Sequence, residues 1–280
     1  MTYNHQKKIA VINDFCGFGR CSIAVSLPII SALKIQCCPL PTSIFSNHTG
    51  YDSFYYTDYT NHMEAYFKEW KKLGLGFEGI LTGFLGSPEQ IGIVKRFLQE
   101  FRKPNTITVI DPVMGDNGKL YPTYSEGLAK QMVALVPYAD ILTPNLTEAC
   151  ILTETEYQAD ISEDVLIGMC EKLCAMGTKS VVISGLQRGG DLENFVYEKG
   201  KEPQIIREHK IGSCRAGTGD VFSSIIAADA VNGLDVAQAV RHASSFIAKT
   251  MRRTEEMALP QADGICFEEC LSEIEGEKTK

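Results

Sequence analysis

A helix needs about 20 consecutive apolar residues to cross a bilayer, and no run in this sequence comes near that length. Residues 1–8 also lack the apolar segment of a secretory signal. A cytoplasmic protein without a membrane partner is expected. Zinc-motif spacing is missing too. Of ten cysteines none form C-x-x-C, and the close ones (Cys37 with Cys38, Cys170 with Cys174, Cys266 with Cys270) have no histidine at ligand spacing. They read as reduced thiols. Cys16, Cys21 and Cys214 lie near the candidate site described below, where a structural role is the expectation.

Basic charge is in deficit as well: 27 Lys and Arg against 35 Asp and Glu leave a net charge of −8. That argues against nucleic acid as the main partner, while a local pocket for a phosphorylated ligand stays compatible with it. There is no internal repeat, low-complexity tract or linker, so one domain over residues 1–280 is preferred. The mixed-charge tail 273–280 reads as a frayed end.

What is present is alternation. Short apolar runs at 9–13, 35–44, 79–83, 106–110, 140–143 and 179–183 read as buried strands. Between them lie helical patterns, among them 57–73, 88–101 and 162–176, with later ones after Gly217 and over 235–251. Segments 195–198 and 204–209 read as an antiparallel edge ribbon. This is an α/β protein with a mainly parallel central sheet flanked by helices on both faces, and ligands belong beyond the carboxyl ends of its strands. In helix 57–73 the stripe Met63, Tyr66, Phe67, Trp70 is read as core.

Two nucleotide-binding patterns fail. Gly17-x-Gly19-x-x-Ser22 lacks the third glycine and the downstream acid of a dinucleotide fold, and Gly118-Lys119 is followed by Leu120 with no glycine five positions before it. Gly217-Thr218-Gly219-Asp220 is more informative. Two glycines stand where a helix begins and Gly233 where it ends, so free amides and the positive end of the helix dipole would favour phosphate oxygens. Asp220 in that first turn would be held ionised by the dipole and could take a proton from a hydroxyl. The same residues would also serve as a plain glycine turn whose acid complements the dipole.

Asp111-Pro112-Val113-Met114-Gly115-Asp116 and Thr143-Pro144-Asn145-Leu146-Thr147-Glu148 lie at two further strand ends, where Asp111 and Glu148 could hold a hydrated divalent cation. Glu148 alone would equally be a helix cap. Ser184 ends another strand and is placed to meet a ligand. The loop Phe45-Ser46-Asn47-His48-Thr49-Gly50-Tyr51 suits a small flat ring, or else is an ordinary turn with a satisfied His48.

With Asp111–Asp116, Thr143–Glu148 and Gly217-Thr218-Gly219-Asp220 in order, the chain resembles the ribokinase superfamily over nearly its whole length. Its 45–51 loop is similar to the substrate loop of the pyridoxal kinases within it, which phosphorylate the 5′-hydroxymethyl group of pyridoxal, pyridoxine and pyridoxamine with MgATP. The resemblance implies Asp220 as base and Gly217, Thr218 and Gly219 as anion hole. It sets Asp111, Thr143, Asn145, Glu148 and Ser184 toward the ATP phosphates and metal, and His48 and Thr49, with Asp14, toward the ring. It also implies ATP and Mg2+, a monovalent cation (K+), a homodimer and a flap over 116–124. Asp14 stands where many pyridoxal kinases carry serine, and Phe84 near a tyrosine of theirs. Asp at the first position is similar to hydroxymethylpyrimidine kinases, which form the alternative, and a catalytically silent B6- or nucleotide-binding regulator is the third reading.

Overall fold

The structure is a computed structural model that describes residues 6–275. Its first half runs β1 (Lys8–Cys16), α1 (Ile23–Ala32), β2 (Gln36–Phe45), β3 (Tyr56–Asp58), α2 (Thr60–Lys72), β4 (Gly79–Thr82), α3 (Pro88–Phe101) and β5 (Ile107–Ile110). A short hairpin, β6 (Gly115–Asp116) and β7 (Lys119–Leu120), and α4 (Glu126–Gln131) follow. Then come β8 (Ile141–Leu142), α5 (Leu146–Thr153), α6 (Glu163–Ala175), β9 (Ser180–Arg188), β10 (Asp191–Glu198), β11 (Gln204–His209), α7 (Thr218–Asn232) and α8 (Val236–Glu256).

Nine strands form one sheet in the order β11-β10-β9-β8-β5-β4-β1-β2-β3. Pairing from β9 through β8, β5, β4 and β1 to β2 is parallel; β3 at one edge and β10 and β11 at the other are antiparallel. The parallel strands are apolar on both faces because both are covered. In β1, Ala10 and Ile12 face the core under α2, α3, α5 and α6, while Ile9 and Val11 face the core under α1, α7 and α8. Ile9, Val11 and Ile12 each contribute about 1.5–3 kcal/mol by leaving water.

The chain leaves β1 for β2 on one side and later returns to β4 on the other, so the crevice at the carboxyl ends of β1 and β4 is a topological switch point. The expected stripe on α2 is core: Met63 and Phe67 are buried, with Tyr66 and Trp70 packed against them.

Several boundaries differ from expectation for local reasons. Helix α2 starts at Thr60 rather than 57, because residues 56–58 pair with β2 as an edge strand. Strand β9 continues past Ser184 to Arg188, since β10 goes on pairing with it after β8 has ended. Strand β10 begins at Asp191, earlier than 195. The tail does not begin to fray at 273: Glu273 closes a 3-10 helix, Ile274 is buried, and Glu275 pairs with Lys34 at 3.0 Å. Its remainder, 276–280, lies outside the described residues, as do positions 1–5 of the segment read for a signal.

Candidate active site

A cavity of about 1360 Å³ opens at the switch point. All twelve sequence-predicted positions line it: Asp14, His48, Thr49 and Asp220 at one end, Asp111, Thr143, Asn145, Glu148 and Ser184 at the other, with Gly217, Thr218 and Gly219 also on its wall. The fold therefore gathers residues up to 206 positions apart, Asp14 and Asp220, at one mouth.

Gly217 caps α7 in the left-handed region at φ 84°, and a Cβ on it would lie 2.1 Å from the carbonyl oxygen of Arg20. Only glycine fits there. No side chain caps the helix, so the N–H groups of its first turn are left to the cavity. A Cβ on Gly219 would meet only open space, the space an anion above those amides would need. Gly233 closes α7 at φ 97°, as the sequence predicts.

Asp220 faces this space but is not held ionised by the dipole alone. Burial raises its pKa, opposed by the backbone N–H of Ser22 and the side-chain amide of Asn13, which donate to it. Asn13 Nδ2 reaches Asp220 Oδ1 at 3.2 Å, and its own oxygen accepts from the N–H of Asp14 at 2.9 Å and of Phe84 at 2.8 Å. Asp14 beside it is raised to about 7, first by burial, with the charge of Asp220 adding to it and the Ser22 hydroxyl opposing. Ser22, at φ 58° and ψ −136°, holds a backbone conformation that L-residues rarely adopt. That strain turns its N–H to one carboxylate and its hydroxyl to the other. Neither Asn13 nor Ser22 was singled out from sequence; an Asn ending a buried strand was the available signal.

The other end is more structural than the sequence suggests. Glu148 accepts from Met114 N–H at 3.0 Å and Asn145 N–H at 2.9 Å, and Asn145 caps α5 in return while its amide donates to Gly115 O at 2.7 Å. Both side chains thus shape the wall through a capping box. Burial raises Glu148 to about 8 and pushes Asp111 well above the usual range, where the charges of Glu148 and Asp220 add to it. Two buried acids, one raised further by the charge of the other, suit a hard divalent cation shared with phosphate oxygens. Thr143 donates weakly to Ile110 O at 3.5 Å, and Ser184 N–H bonds Pro144 O at 2.9 Å where β8 ends.

The segment implied as a flap, 116–124, begins with the β6–β7 hairpin. Asn117 (φ 51°) and Gly118 (φ 75°) make its two-residue turn, and Gly118 N–H donates to Thr147 Oγ1 at 2.8 Å. His48 lines the cavity, yet both nitrogens are engaged: Gly50 N–H donates to Nδ1 at 3.0 Å, so Nε2 carries the proton and donates to Ala262 O at 2.8 Å. It offers a ligand its ring rather than a hydrogen bond. Phe45 and Phe84, 6.1 Å apart and edge to face, supply further apolar wall.

The sequence model of the phosphomethylpyrimidine kinase family matches residues 28–264. The chain belongs to that family. It is similar to the solved structure of a candidate phosphomethylpyrimidine kinase of Bacteroides thetaiotaomicron, 36% identical, with a TM-score of 0.96 over 100% of this chain and 98% of that one. A second crystal form of it, with pyridoxal, gives 0.93 over 96% of each. The pyridoxine/pyridoxal/pyridoxamine kinase of Bordetella avium is 27% identical over 262 residues, 88% of this chain and 86% of that one. The α/β architecture is that of these kinases.

Proposed function

We propose that this chain is an ATP-dependent kinase that phosphorylates the 5′-hydroxymethyl group of pyridoxal, and of pyridoxine and pyridoxamine, to give pyridoxal 5′-phosphate and its analogues in vitamin B6 salvage. One observation carries the reading: a carboxylate, Asp220, faces a cavity from the same helical turn whose uncapped amides face it too. The acceptor oxygen attacks the γ-phosphorus in line. Its proton passes to Asp220, the new O–P bond forms as the bond to the β-phosphate oxygen breaks, and ADP leaves.

The first-turn amides of Thr218, Gly219 and Asp220 stabilise the equatorial oxygens as charge spreads over them. Burial raises the basicity of Asp220, while Asn13 and Ser22 keep it oriented and limit the rise. The ring packs among Phe45, Phe84 and the face of His48, with Thr49 beside it. Asp111 and Glu148 would hold Mg2+, which neutralises phosphate charge. A monovalent cation, K+, belongs to the same reading. So does a homodimer, supported by the apolar surface around edge strand β3, where Tyr55 is 73% and Tyr56 52% exposed.

A second reading, hydroxymethylpyrimidine kinase, is favoured by Asp14 and by the family's own description. Side-by-side kcat/KM values for pyridoxal, pyridoxine, pyridoxamine and hydroxymethylpyrimidine decide between them. The first reading expects a B6 vitamer to win by at least tenfold; ligand binding without ADP release in the presence of any of the four acceptors would leave only a regulator.

A further inference from the structure

We propose that Asp14, Cys16 and Cys21 form a binding site for a thiophilic divalent cation of the Zn2+ class at the acceptor end of the cavity. One ligand atom from each, a carboxylate oxygen and two Sγ atoms, lies within 4.8 Å of the other two. Backbone register explains why. Phe15 and Ser22 pair as an antiparallel bridge, so Cys16 and Cys21 are the next facing pair across the loop that Gly19 and Arg20, both at positive φ, turn back. Sequence spacing of five residues carries no metal signature; the bridge creates the juxtaposition.

The donor set selects the ion. Two thiolates and one carboxylate suit Zn2+ or Co2+ in tetrahedral geometry and reject Mg2+ and Ca2+, which take oxygen. Binding displaces two thiol protons to solvent, and the Asp14 carboxyl proton where it is present; two metal–sulfur bonds and one metal–oxygen bond form as bonds to water ligands of the aqua ion break. All three residues line the cavity, which leaves the fourth position to water. The Ser22 hydroxyl bonded to Asp14 orients that ligand from outside, as partners of metal ligands do. Asp220 adds negative charge nearby. The site stands apart from the Asp111 and Glu148 pair in chemistry, and it goes beyond the kinase reading.

The test is absorption spectroscopy of the full-length protein, reduced with a phosphine, stripped with a chelator, and titrated with Co2+ without nucleotide or acceptor. A thiolate-to-cobalt charge-transfer band saturating at one equivalent is expected, abolished by Zn2+ and untouched by excess Mg2+. Cys21→Ser should remove the band. Asp14→Asn should keep a band but weaken Co2+ affinity about 10–100-fold, and the Cys37→Ser/Cys38→Ser double variant should bind as the parent does. Circular dichroism checks that each variant is folded. No band in the parent, an unchanged band in Cys21→Ser, unchanged affinity in Asp14→Asn, or loss of the band in the double variant overturns the proposal. Because the readout is binding alone, its failure and that of the kinase reading are separate results.

Discussion

Asn13 donates its side-chain amide to Asp220 Oδ1 at 3.2 Å, and its carbonyl oxygen takes the N–H groups of Asp14 and Phe84. A single residue within the first strand thereby ties the proposed base to its neighbour in β1 and to the loop after β4. A side chain could not be added at Gly83, where a Cβ would come within 2.5 Å of Asn13.

Removing this tie should alter the base and the fold together. In Asn13→Ala, two backbone N–H groups lose their acceptor, costing about 1–3 kcal/mol. Asp220 also loses a donor that lowers its already raised pKa. Since the base must be ionised to act, the acidic limb of the kcat/KM profile should move to higher pH. A pH–rate profile and a denaturant titration check both effects.

Asp220→Asn keeps shape and hydrogen-bonding reach but cannot accept the acceptor's proton. Turnover should fall about 10²–10⁴-fold, with ATP and pyridoxal affinities within a few-fold of the parent by calorimetry. Near-normal turnover would remove Asp220 from the role of base.

Asp14 should leave a signature in stability against pH. Its folded pKa of about 7 exceeds the ordinary 3.8, so the folded state holds the proton more tightly. The stability that this provides is complete below the unfolded value and is lost as pH rises through about 7. Asp14→Asn should therefore stabilise the fold more at pH about 8 than at pH about 5, by on the order of 2–4 kcal/mol at the higher pH, and raise Tm more there. Thermal unfolding at the two pH values measures the difference, and an equal shift at both would contradict it.

Tyr55, exposed beside edge strand β3, tests the homodimer. Sedimentation should report a dimer for the parent, and Tyr55→Glu, which sets a charge in an apolar surface, should weaken association at least tenfold while circular dichroism stays unchanged.

Much of the site was legible in the chain because its chemistry is local. A glycine turn before a helix, a helix-ending Gly233 and acids following buried strands are each set by a few neighbouring residues, and strand–helix alternation alone implies a crevice where they meet. The hydrophobic periods that placed α3 at Pro88–Phe101 need no tertiary partner either. Less could be read where pairing decides: β9 runs past Ser184 because β10 supports it, and Tyr56–Asp58 is a strand only because β2 lies alongside.

Sequence by itself determined the strand–helix alternation, the parallel core and twelve of the residues that line the cavity, since burial pattern and turn chemistry are properties of short stretches. Only the tertiary structure decided what those residues do to one another: that His48 is bound by backbone at both nitrogens, that Glu148 is a cap as well as an acid, that Ser22 serves two carboxylates, and that two cysteines with no motif face each other beside Asp14. Desolvation and hydrogen bonding depend on distances between positions far apart in the chain, and spacing along the chain does not encode those distances.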